Sequence, residues 1–205
     1  MKKSSTTNLA VLGVFSALII LLTFTPIGYI AIPALGISAT IIHLPVIIGA
    51  VVLGPRDGAI LGGVWGITAL IRAAVMPNGP LDMLFVNPLV SVLPRILVGL
   101  CAAWVFRGMM KLLQKHPHGD LPSAAVAGAA GALTNTILVL GILCLLYRSQ
   151  MLGSGNGTTI GLIIGTILTL NGLIEIGSAI LLTPAVSRAL FAVKKRIRQI
   201  GRAHV

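Results

Sequence analysis

Long apolar stretches, each ended by a short cluster of polar or turn-forming residues, run through this chain from end to end. The first covers 8–25 and follows Lys2 and Lys3. The second, 41–54, is short and rich in Gly. It ends at Gly54-Pro55-Arg56-Asp57-Gly58, which reads as a tight turn with both charges in water. A third occupies 58–76 and stops at Pro77-Asn78-Gly79-Pro80; a fourth, 83–107, contains Pro88 and Pro94. The fifth is 122–147. The sixth is 157–190, between a turn from Gly153 to Gly157 and a basic tail. A spanning helix takes about 20 mostly apolar residues. The pattern therefore predicts an all-α integral membrane protein: six transmembrane helices in one bundle, with residues 1–205 as one domain without linkers or internal repeats.

Composition supports this reading. Of 205 residues, 56% are hydrophobic and 9% are charged, and mean hydropathy is +1.03. Soluble domains carry roughly 25% charged residues, and a chain this apolar lacks the polar exterior they need. The hydrophobicity also excludes disorder. The balance of 15 Lys and Arg against 4 Asp and Glu would suggest nucleic acid in a soluble protein. Here the basic residues flank the apolar runs, where they act as topology signals and contacts to the anionic lipid bilayer. With the N-terminus in the cytoplasm, Lys2, Lys3, Arg56, Arg107, Lys111 and Lys115 lie inside, as do Arg188, Lys194, Lys195, Arg196, Arg198 and Arg202. Only Arg72 and Arg148 fall outside, which predicts that both termini are cytoplasmic. Residues 1–34 also admit a signal-peptide reading, with a poor cleavage site at 31–34; cleavage would leave the later helices oriented as before. Cys101 and Cys144 sit inside apolar runs and read as packing residues.

Polar residues at membrane depth are costly and call for a partner or a purpose. Arg95 lies about twelve residues into the fourth stretch, roughly 18 Å along a helix. It reads either as half of a structural ion pair with Glu175, the only acid embedded in a helix, or as the counter-ion of a substrate carboxylate or phosphate. Pro94 before it removes a backbone donor and bends the helix, which could open a cavity beside the guanidinium. In Thr134-Asn135-Thr136, midway along the fifth helix, Asn135 suits a hydroxylated or amide-bearing ligand or an interhelical hydrogen bond. Asn171 and Glu175 are four apart and share a face. Asn87, near the outer end of the fourth helix, is explained by solvent contact; His43, near the outer end of the second, reads as packing or hydrogen bonding. Both stay on the list of candidate binding residues. No second ligand at metal spacing accompanies them, so neither metal nor cofactor is expected. Ala10, Gly13 and Ala17 form a small-residue stripe on the first helix, suited to packing in the bundle or to docking another membrane protein.

No phosphate-binding loop, nucleophile elbow or zinc-protease motif occurs. Four scattered acids cannot assemble a metal-dependent phosphotransferase, so catalytic residues are not expected. A self-sufficient ion-coupled carrier would show related halves and more spans.

The stretch from Ile37 to Gly66, ISATIIHLPVIIGAVVLGPRDGAILGGVWG, resembles the substrate-capturing S components of energy-coupling factor vitamin transporters. So do LPRILVGL (93–100), LTNTILVLG (133–141) and NGLIEIGSAILLTPAVSRAL (171–190). The resemblance covers nearly the whole chain, in order. It implies a plasma-membrane protein that binds one vitamin near the extracellular side, beneath the loop Pro26 to Thr40. Such a protein then delivers its cargo with a transmembrane coupling protein and two ATPases. The family's docking stripe is commonly Ala-x-x-x-Ala; the matching residues here are Gly13 and Ala17. Arg95 and Asn135 match positions of the pantothenate-binding members, with the arginine meeting the substrate carboxylate. Riboflavin carriers need more aromatic stacking surface than the scattered Trp65, Phe85, Trp104 and Tyr147 offer. Another vitamin, and an accessory membrane protein with a purely architectural Arg95–Glu175 pair, stay open as alternatives.

Overall fold

A computed structural model describes residues 6–32, 37–77, 82–147 and 157–203. Lys2, Lys3, Arg148 and residues 153–156 of the expected turn lie outside these. In hydrocarbon every backbone polar group must be satisfied internally, so apolar runs wind into helices. They are α1 (Thr6–Phe24), α2 (His43–Leu53), α3 (Pro55–Val75), α4 (Pro88–Leu112), α5 (Asp120–Leu146) and α6 (Gly157–Ala203). Single 3-10 segments, Pro26–Gly28 and Asp82–Val86, follow α1 and precede α4. Five helices, including 171–194 of α6, are long and apolar enough to cross a membrane. Their outward faces are apolar: Val14, Ile67, Ile137 and Leu181 are all more than half exposed.

The second expected span, 41–54, is different. At 11 residues, α2 is about 16 Å long, roughly half the hydrocarbon thickness. His43 through Val52 are all buried, as expected of a helix that is apolar all round. It packs against α1, α3, α4 and α6. Part of the loop before it forms an antiparallel hairpin, β1 (Tyr29–Ile32) with β2 (Ile37–Thr40), in the register Tyr29↔Thr40 to Ile32↔Ile37.

Other boundaries also moved. The Gly54–Gly58 turn contracts to one residue: Gly54 has φ +109°, a conformation only glycine enters readily. Pro55 already sits at the first helical position, where its missing N–H costs nothing. Pro88 likewise starts α4 rather than interrupting it, and Asn87 caps that helix by accepting from Leu89 N at 3.0 Å. Most of the basic tail continues α6 to Ala203.

A glycine seam joins α3 to α4. Gly58, Gly62 and Gly66 recur every four residues, facing Gly99, Arg95 and Val92 in antiparallel order. A Cβ on Gly62 would lie 2.1 Å from the Arg95 carbonyl oxygen, and one on Gly99 2.0 Å from that of Gly58. The two backbones touch because α3 has no side chain at these three positions, and at Gly58–Gly99 neither helix has one. The seam fixes the height of Arg95 on the wall of the bundle. At one end, Lys194 Nζ donates to Val52 O at 3.4 Å and the Arg107 guanidinium lies against Gly54. The hairpin, Arg72 and the start of α4 lie toward the other end.

Candidate functional site

At the hairpin end a cavity of about 290 Å³ opens between the helices. Each wall follows helical spacing. Trp65, Ala69, Arg72 and Ala73 come from α3, Asn135, Thr136, Val139 and Leu140 from α5, and Asn171, Gly172 and Glu175 from α6. Arg95 of α4, Phe85, and Tyr29, Thr40 and Ile42 from the hairpin region complete it. The volume suits a small molecule, and the mixture of apolar walls with a few convergent polar groups is that of a binding site.

Among the described residues Arg95 is the one buried Lys or Arg, only 7% exposed. Its Nη1 donates to Val90 O. That carbonyl sits four residues before Pro94 and so is denied its helical N–H donor. The guanidinium also lies over the Trp65 ring at 5.2 Å and the Phe85 ring at 5.3 Å, both within cation–π range. Ser91 Oγ donates to Phe85 O, tying the 3-10 segment to α4. Arg95 is thus held on three sides, and among the described residues its Nε has no hydrogen-bond partner.

Of the two readings of Arg95, the direct ion pair with Glu175 is not seen among the described residues. Among the described residues, Glu175 Oε1 accepts from Thr40 Oγ1 at 2.7 Å, while the hydrogen bond of Arg95 goes to Val90. Both charges line the cavity separately. Asn135 Oδ1 and Asn171 Oδ1 are buried without a partner among the described residues. Unpaired buried polar atoms are expensive, and three of them lining one cavity mark a place for a polar ligand.

The remaining candidates lie elsewhere. Thr134 Oγ1 donates to Ala130 O of its own helix at 2.7 Å; it is Thr136 that lines the cavity. Asn87 is the α4 cap. His43, fully buried, places Nε2 at 3.2 Å from Glu175 O, bracing the site from behind. Ala10, Gly13 and Ala17 are exposed on α1, and nothing lies within 4 Å of a Cβ on Gly13.

Sequence reading missed Arg72, Tyr29 and Thr40. Arg72 Cζ lies 4.1 Å from the Tyr29 ring centroid, and Tyr29 is registered opposite Thr40, which reaches Glu175. One hairpin rung thus contacts α3 and α6 across the cavity. The signal available was the seven-residue spacing of Trp65 and Arg72, two helical turns on one face.

Five long apolar helices, four of which line a cavity with convergent polar groups, define a multi-pass membrane protein. Residues 7–187 match the family described as the ECF transporter, substrate-specific component, and the chain belongs to that family. It is a transport component, not an enzyme. It is 31% identical to the pantothenic acid transporter PanT of Lactococcus lactis subsp. cremoris, over 93% of this chain and 96% of that protein. It is 32% identical to the pantothenate transporter PanT of Leuconostoc mesenteroides subsp. mesenteroides, over 96% and 98% respectively.

Proposed function

We propose that this chain captures pantothenate at the plasma membrane as the S component of an energy-coupling factor importer. The observation that carries the reading is the cavity with Arg95, whose Nε has no partner among the described residues, together with near-full-length similarity to two pantothenate transporters. Pantothenate brings a carboxylate, an amide, two hydroxyls and a branched apolar centre. Arg95 takes the carboxylate, since a guanidinium binds it through parallel charge-assisted hydrogen bonds in a partly dry site. Asn135, Asn171 and Glu175 accept from the amide N–H and hydroxyls, and Val139 and Leu140 meet the methyl groups. In this reading Thr134, Asn87 and His43 do not touch the ligand, and His43 braces Glu175 from behind.

Release into the cell then depends on a transmembrane coupling protein and two ATPases. The open stripe Ala10, Gly13 and Ala17 is where the coupling protein docks. The end carrying Arg107 and Lys194 faces the cytoplasm with both termini, and α2 with the segment before it completes the second of six crossings. A thermal-shift screen of the purified protein against B vitamins tests the reading. A ligand at a hundred times its dissociation constant stabilises a fold by about 2.7 kcal/mol, and pantothenate should give that shift. A shift with riboflavin or another vitamin instead would reassign the substrate; no shift with any would overturn the vitamin-binding reading.

A further inference from the structure

Among the described residues three full charges line the cavity, and they do not cancel: Arg95 and Arg72 are positive and Glu175 is negative. The other described polar lining groups, Tyr29, Thr40, Asn135, Thr136 and Asn171, contribute only dipoles. Arg95 lies deep against Trp65 and Phe85, whereas Arg72 is half-buried against Tyr29. Glu175 accepts from Thr40, a neutral donor, which leaves its charge uncancelled by any direct ion pair among the described residues.

Uncompensated charge in a poorly hydrated site is costly, and low dielectric magnifies each term. Arg95 and Glu175 alone would balance and would favour a neutral ligand. The two arginines without Glu175 would favour a dianion. All three together leave one positive charge over.

We infer that this cavity selects its ligand by net charge as well as by shape. It is a monoanion site, in which Arg72 rejects neutral molecules and Glu175 rejects phosphorylated ones. The inference deepens the proposed function, which supplies the probes used to test it. It assigns Arg72 and Glu175 as specificity-determining residues, distinct from the carboxylate-binding role of Arg95.

Three related probes separate the charge states. They are pantothenate, its alcohol analogue with the carboxylate replaced by a hydroxymethyl group, and its phosphate monoester, which adds about 1.5 to 2 negative charges at pH 7. Affinities come from competitive calorimetry on the purified full chain. Glu175→Gln keeps an oxygen able to accept from Thr40, so it removes charge while sparing that contact. It should raise binding of the monoester relative to pantothenate by about tenfold, the change in ratio that one removed like-charge contact of ~1.4 kcal/mol gives. Arg72→Gln should narrow the preference for pantothenate over the alcohol by about threefold, less because Arg72 is partly solvated. Arg72→Lys should restore that preference.

Ratios left at their wild-type values in Glu175→Gln or Arg72→Gln overturn the inference, whatever the absolute affinities do. If the wild-type protein ignores pantothenate, the proposed substrate fails separately. The charge rule is then read from thermal shifts with matched monoanionic, neutral and dianionic vitamins. The largest shift from a monoanion keeps the rule, and the largest from a neutral or dianionic compound, or none from any, overturns it.

Discussion

Arg95 donates to the carbonyl of Val90, the acceptor that Pro94 leaves without its helical donor. Proline and arginine are therefore one device. The first opens a gap in the hydrogen-bond ladder of α4, and the next residue fills it with a guanidinium arm, leaving Nε buried with no hydrogen-bond partner among the described residues. Replacing Pro94 with Ala restores the amide donor and removes an interior-proline penalty of about 3 kcal/mol. The expected result is a higher melting temperature with several-fold weaker pantothenate binding. Unchanged affinity would show that Trp65 and Phe85 suffice to hold the guanidinium.

Arg95→Ala should weaken pantothenate binding by about 100-fold or more, since two hydrogen bonds between charged groups contribute roughly 1.5–3 kcal/mol each. Arg95→Lys should recover little, because an ammonium cannot reproduce the planar, forked geometry. Calorimetry on both variants is the measurement. Near-wild-type binding by the lysine variant would argue against bidentate contact.

The α3–α4 seam makes neighbouring glycines behave differently. Gly62→Ala drives a methyl group to 2.1 Å from the Arg95 carbonyl, and overpacking of this kind costs about 1–3 kcal/mol. At Gly63 the nearest foreign atom, Ile96 Cγ1, is 3.9 Å away, so Gly63→Ala should be neutral or slightly stabilising through helix propensity. Thermal unfolding of the two variants, side by side, checks the pair.

Gly13 faces open space on α1. Gly13→Leu should leave both the melting temperature and pantothenate affinity unchanged while reducing co-purification with the energising module several-fold. Loss of ligand binding in that variant would place the stripe inside the bundle's own packing instead.

The long helices and the depth of Arg95 were legible in the sequence because hydropathy and a fixed helical rise are local properties. So was the shared face of Asn171 and Glu175, which both line the cavity and whose spacing rests only on helical periodicity. The direction in which a helix face turns is not local. In Thr134-Asn135-Thr136 the two threonines lie about 200° apart around the axis, and packing, which the triplet does not encode, turned Thr136 toward the cavity and Thr134 away. Arg72 read as a topology charge because nothing nearby announced Tyr29, 43 positions earlier, as the ring on which it rests. The hairpin escaped notice because its span is short and apolar, so it merges with the runs on either side. The seam was visible as a four-residue glycine period, but glycines are so frequent in this chain that the period did not stand out.

The half-length of α2 has a consequence for capacity. Helix α2 begins just past Ile42, which, like Thr40, borders the cavity. Two further turns at its start would run a helix through the volume those residues now border. The chain makes room for cargo by omitting a segment of helix, not by splaying its neighbours. The closed α3–α4 seam then bounds the chamber on one side, and the rung Tyr29–Thr40 borders it where a longer α2 would have run.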